Sequence, residues 1–200
     1  MKVAASAKEW AQEQDCVPIE LPPVATGYWR TLDFLREQQC QANWCWAAVA
    51  SSIAHFYRPS TIVTQCRIAN GELRRKDCCD AKCNTGGPCD VYGFLMSSLF
   101  RVGHFRKLVL SKQATLEQVR GEIDKLRPLC ARLAWFRGGA HFVTIIGYAP
   151  HKRRADSDGG LAIADPWWGL SDIDYEDFPA SYRDAGAWTD TYYTRGRRGT

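Results

Sequence analysis

Gln39-Cys40-Gln41-Ala42-Asn43-Trp44-Cys45-Trp46-Ala47-Ala48 reads as an exposed turn that feeds a buried helix, with Cys45 at the junction. From Cys45 onward the pattern turns apolar, through Val49, Ile53, Phe56 and Tyr57. Alanine is the best helix former, and Val49, Ile53 and Phe56 repeat at the i, i+3/i+4 spacing of one helical face. Asn43 is the expected N-cap. Cys45 then falls in the first helical turn, where orphan N–H groups and the helix dipole favour a thiolate. Taken alone, Cys45 reads as a buried structural thiol or half of a disulfide, because free cysteine is among the most buried residue types. Its partners downstream change that reading.

Outward from this stretch, the 200 residues suit one domain. A composition of 46% hydrophobic and 24% charged residues is that of an ordinary globular chain with a real core. The net charge of +4 is mild. Its clusters, Lys152-Arg153-Arg154 and Arg195 to Arg198, read as solvated segments rather than the broad basic face that nucleic acid requires. No apolar run reaches the length of a membrane span. Met1 to Gln14 lacks a hydrophobic stretch, so no Sec-type signal peptide is expected in this chain. Nine cysteines are dense for a reduced compartment. The knot Cys78-Cys79, Cys83 and Cys89 fits disulfides, free thiols or a metal site. The spacing lacks the paired C-x2-C of zinc ligands, so no metal is expected.

Residues 1–29 read as an arm broken by Pro and Gly, anchored by Trp10, Tyr28 and Trp29. A single domain follows over 30–200, with a helical lobe over about 30–104 and a sheet lobe over about 105–194. The first lobe is expected to hold a helical turn at Leu32 to Gln38 and helices over Asn43–Tyr57 and Thr61–Leu73. A further helix, Val91–Arg101, is capped by Asp90, with Phe94, Leu95, Leu99 and Phe100 inward. The second has strands at Phe105–Leu110, Leu129–Phe136, His141–Tyr148, Leu161–Asp165 and Trp188–Thr194. A crossover helix from a Thr115–Gln118 capping box through Leu126, closed by Pro128, interrupts them, and one helical turn is expected in Tyr175–Tyr182. Helices first and strands later indicate an α+β fold, a helical lobe packed on an antiparallel sheet with a cleft between.

Of the four histidines, His55, His104 and His151 read as surface or capping groups. His141 opens the strongest strand after a Gly-Gly turn, and Asp165 ends the next strand before Pro166. A thiol at a helix start, an imidazole at a strand start and a carboxylate at a strand end form the order nucleophile, base, orienter. The Cys45 N–H and the Gln39 amide, six positions earlier, are candidate oxyanion donors, each worth about 3–4 kcal/mol of barrier.

Gln39, five intervening residues, then Cys45-Trp46-Ala47 resembles the active-site segment of papain-like cysteine proteases. His141 and Asp165-Pro166 resemble that family's short bacterial branch, which contains plant-pathogen effector proteases and bacteriocin-leader peptidases. The Asn43-Trp44-Cys45-Trp46-Ala47-Ala48 run and the Cys78-Cys79 loop look closest to the effector type. The resemblance covers residues 30 to 194. It implies a papain-like fold and a cysteine endopeptidase with Cys45, His141 and Asp165 as triad and Gln39 at the oxyanion hole. It implies no cofactor. The partners it implies are a protein or peptide substrate and a cognate inhibitor or immunity protein, with no nucleic acid. It also implies a secreted effector or toxin delivered into a recipient cell. Trp44, Trp46, Trp167 and Trp168 could line an aromatic cleft, although Trp46 reads rather as a core residue. The same triad order also serves cell-wall peptide amidases and Gln deamidases or transglutaminases, and a degenerate copy could be an inactive binding module.

Overall fold

The computed structural model describes residues 30–80, 86–149 and 159–196. Residues 1–29, Cys83, His151, Lys152 to Arg154 and the last four positions lie outside them. The expected N-terminal arm and two of the nine cysteines, Cys16 and Cys83, fall there. The described chain is α+β. Short strand β1 (Arg30–Thr31) leads to helices α1 (Cys45–Tyr57), α2 (Gln65–Leu73) and α3 (Leu95–Arg101). Then come β2 (Phe105–Val109), α4 (Leu116–Ile123), β3 (Leu129–Trp135), β4 (Ala140–Ala149) and β5 (Gly160–Asp165). Strand β6 (Gly169–Asp174), turn α5 (Asp177–Ala180) and β7 (Gly186–Thr194) complete it.

The sheet has seven strands in the order β2-β7-β3-β4-β5-β6, with β1 paired to β4, and its pairs are antiparallel. Its central strands β4 and β5 are buried almost throughout, which explains their continuous apolar runs. α1 is buried from Cys45 to His55 and lies between α2, α3 and β4. A helix that is apolar all round belongs inside. No helix among the described residues is long and apolar enough to cross a membrane.

Several expectations need correction. Residues 32–38 form no helix. The turn before Cys45 is mostly buried: Gln39 and Gln41 are inside and Ala42 is exposed. Asn43 does not cap α1; its N–H and side-chain amide donate to Asp90, and Trp44 occupies the cap position. Asp90, so engaged, does not cap α3, which starts later at Leu95. Leu95 and Leu99 face inward as expected, but Phe94 and Phe100 are 79% and 73% exposed. Helix α2 starts at Gln65, because Thr64 accepts from the Arg67 N–H and caps it there. The Thr115 capping box is present, yet α4 stops at Ile123 and Leu126 takes a left-handed φ of 55°. Strand β6 carried no sequence signal strong enough to be read, since the two apolar residues of its Gly-Leu-Ser-Asp-Ile-Asp run, Leu170 and Ile173, stand three apart and give no alternation.

Cysteine pairs Cys66–Cys79 and Cys78–Cys89 are disulfide-bonded, and Cys40, Cys45 and Cys130 are free. The bridges hold the segment that runs past the start of α1. From it the Cys89 carbonyl accepts from the Trp44 indole at 2.7 Å and the Val91 carbonyl from the Trp46 indole at 3.2 Å. Both indoles are therefore core groups with satisfied N–H donors, not cleft walls. Gly93 lies flat against Trp46, and a Cβ there would come within 2.4 Å of the ring. Overpacking of this kind costs about 1–3 kcal/mol. Gly93→Ala is expected to lower Tm by about 2–12 °C in thermal unfolding; an unchanged Tm would mean that the ring yields freely.

Candidate active site

Sheet register explains why an imidazole and a carboxylate meet. Thr144 lies opposite Ala164, which sets Val143 beside Asp165. His141, two residues further along the same face, is the diagonal neighbour of Asp165. His141 Nε2 and Asp165 Oδ1 are 2.9 Å apart. That bond leaves Nδ1 free to serve the other side of the ring; Cys45 lines the same cleft as His141, and its thiol helps to raise the His141 pKa. Cys45 is the first residue of α1, so its N–H has no acceptor within the helix. The structure thus brings Cys45 and the His141–Asp165 pair together at the junction of helices and sheet. All three are buried, Asp165 completely.

Asp165 is held by four donors. Oδ1 accepts from His141 and from the N–H groups of Trp167 and Trp168, at 2.7 and 3.0 Å. Oδ2 accepts from the Tyr182 hydroxyl at 2.8 Å. Burial is the largest single influence on this carboxyl and pushes it towards protonation. The His141 hydrogen bond and charge, with the two backbone donors, outweigh it and keep the group below its ordinary range. Tyr182 shifts the other way: burial and then the Asp165 charge raise its pKa, so it stays a donor.

For His141, burial again acts first, against the imidazolium. The hydrogen bonds to Asp165 and Cys45, and the charges of both, reverse that effect and lift it from 6.5 to about 9. Rings keep the pair dry. Trp135 stacks on His141 at 5.6 Å, and Trp168 meets it edge-on at 5.3 Å. The Arg183 guanidinium lies 4.9 Å over Trp168. In such surroundings hydrogen bonds to charge are stronger than in water.

Gln39 lies on the wall of the same cleft, but its amide is turned. Nε2 donates to the carbonyls of Gln41 and Ala42, at 2.8 and 2.7 Å, and Oε1 has no partner among the described residues. The cleft holds about 320 Å³ and is bounded by Gln39, Cys45, Tyr92, Trp135, His141 and Trp168, among others. Trp135 and Tyr92 replace Trp44 and Trp46 as its rings. A second hollow, of about 470 Å³, opens on the far side of Trp135 and Trp168.

Of the other histidines, His55 and His104 are structural and are not at the surface. His55 is buried with Nδ1 2.8 Å from Glu37 Oε1, and His104 is buried with Nδ1 2.9 Å from the Arg195 carbonyl. His151 lies outside the described residues. Asp77, Cys78 and Cys89 cluster closely, but the two sulfurs are bonded to each other and have no thiolate to offer a metal. Sequence reading missed Tyr182, because a tyrosine in a mixed segment carries no signal of the carboxylate it will meet. Tyr182→Phe leaves a buried oxygen of Asp165 without its donor, at a cost of about 1–3 kcal/mol. A denaturant titration is expected to show the midpoint falling at unchanged m-value.

Over residues 28–183 the chain matches the family described as papain-like cysteine protease AvrRpt2. No curated protein matches it closely enough to count as a relative. The matched span is most of the chain, and the helices and seven-stranded antiparallel sheet agree with a papain-like fold. The chain belongs to the AvrRpt2 family of papain-like cysteine proteases, hydrolases of the bacterial effector type.

Proposed function

We propose that the protein is an endopeptidase that cuts a protein target with Cys45 as nucleophile, His141 as general base and acid, and Asp165 as orienter. The observation that carries this reading is the 2.9 Å bond from His141 to the buried Asp165, with the Cys45 thiol on the same cleft as His141. The thiol proton passes to His141, giving a thiolate and an imidazolium. The sulfur attacks the scissile carbonyl carbon, and the C–N bond breaks as His141 returns the proton to the leaving amine. Water, deprotonated by His141, then opens the thioester and releases the carboxylate product and the thiol. Asp165 Oδ1 fixes the ring tautomer and stabilises the imidazolium.

The oxyanion forms beside the Cys45 N–H. We assign Gln39 as its second donor. Its amide must release one of two neutral carbonyls to do so. An oxyanion is the better acceptor, since charge-assisted bonds are about twice as strong as neutral ones. The catalytic domain is inferred to span 30–200, with its sheet lobe over about 105–194. The effector family supports delivery into a recipient cell as the setting in which the target is met.

The test is intact mass after an epoxysuccinyl inhibitor, run beside new N-termini in a proteome-derived peptide mixture. Single labelling and cleavage are both expected, and both vanish in Cys45→Ala. Cleavage that survives Cys45→Ala overturns the reading. The pH dependence gives a second test. His141 has a folded pKa above its ordinary 6.5, so its imidazolium is fully present below 6.5 and is lost as pH rises through about 9. Cleavage is expected to fall on a basic limb near that pH. Asp165→Asn keeps an oxygen for the three N–H donors but removes the charge. It is expected to move the limb down by about one pH unit or more; a limb that stays in place would separate it from His141.

A further inference from the structure

Residues 37–40 carry a buried polar network that the chemistry above does not use. Glu37 is 2% exposed. Its Oε1 lies 2.7 Å from the Ser51 hydroxyl and 2.8 Å from His55 Nδ1, and its Oε2 accepts from Gln65 Nε2 at 3.0 Å. Its own N–H donates to Ser52 Oγ at 2.9 Å. Gln65, 3% exposed, also donates from Nε2 to the Gln38 carbonyl at 2.7 Å and accepts the Cys40 N–H on Oε1 at 2.9 Å. One side-chain amide thus grips the backbone just before and just after Gln39, as a neighbouring strand would. The N–H of Gln39 itself donates to the Pro166 carbonyl at 2.9 Å. The stretch is pinned from α1, from α2 and from the turn that follows Asp165.

A buried carboxylate surrounded by donors is a poor device for stability alone, because apolar residues of similar size fill such space equally well or better. It is a good device for fixing one backbone geometry. We propose that Gln65, braced by Glu37, is a positioning residue for catalysis, holding the backbone on both sides of Gln39 so that the Gln39 amide can reach the oxyanion formed at Cys45. This rests on the assignment of Gln39 as oxyanion donor above. Gln65 touches neither substrate nor thiol and acts only through Gln39.

The test separates oxyanion stabilisation from the reactivity of the thiol. Alkylation of Cys45 by iodoacetamide displaces iodide from a CH₂ carbon and needs the thiolate but no oxyanion donor. Peptide cleavage needs both. Gln65→Ala is expected to lower the cleavage rate in the peptide mixture about tenfold or more, against the roughly 10²–10³ of losing a donor outright. The alkylation rate and its pH profile are expected to stay within about twofold. In a Gln39→Ala background the same change is expected to add less than about twofold, since residues acting as a unit are not additive. Gln65→Met, which fills the volume without donors, serves if Gln65→Ala does not fold. Alkylation falling in step with cleavage, unchanged cleavage, or effects that multiply in the double variant would each overturn the proposal. Intact cleavage in Gln39→Ala alone would remove both it and the Gln39 assignment while leaving the protease reading. Cleavage surviving Cys45→Ala would remove that reading itself.

Discussion

Asp165 is a charge in a place where charge is expensive. It has no contact with solvent, and four donors converge on it from the imidazole, two backbone amides and a phenol. Each donor comes from a part of the chain that must already be in place. The strand register brings His141, the tight turn after Pro166 brings the N–H groups of Trp167 and Trp168, and the segment before β7 brings Tyr182. Removing Tyr182 strips Oδ2 of its donor, and removing any of the three on Oδ1 weakens the support of a buried charge, so the carboxylate ties the geometry of the site to the integrity of the sheet.

The same logic explains the ring cluster. Trp135, Trp168 and Arg183 do no bond-making, yet they exclude water from the His141 pair and lower the local dielectric. Two residues that hold this corner, Arg183 and Asp184, adopt left-handed φ of 52° and 54°. Non-glycine residues accept that conformation at a cost that the surrounding contacts must offset.

Much of this was legible in the chain because its signals are local. The alanine-rich run after Cys45, the β-branched run after His141, the Thr115 capping box and the Asp165-Pro166 stop all encode structure over a few residues. Cys45, His141 and Asp165 could be named because each sits at the end of such an element. What escaped reading depends on distant partners. Asn43 and Asp90 look like caps but satisfy each other. His55 looks like an ordinary helix-face residue until Glu37 is folded against it. Phe94 and Phe100 fit an apolar stripe, yet only one face of a two-turn helix can be covered. Tyr182, Gln65 and the turned amide of Gln39 are matters of side-chain direction, which periodicity does not carry.

Strand β1 gives the fold a property of a different kind. Its two residues precede every helix of the described chain, yet they pair with Gly147 and Tyr148 near the end of β4, and the Leu32 N–H follows with a bond to the Ile146 carbonyl. The pairing closes a loop that contains α1 to α4, so from Arg30 the described chain leaves the sheet, builds the helical half and returns. Closing so long a loop carries a large entropic penalty before any contact rewards it. Arg30 and Thr31 are therefore expected to join the sheet late in folding. The two halves are not separable parts joined by a tether, and no single cut in the chain divides one from the other.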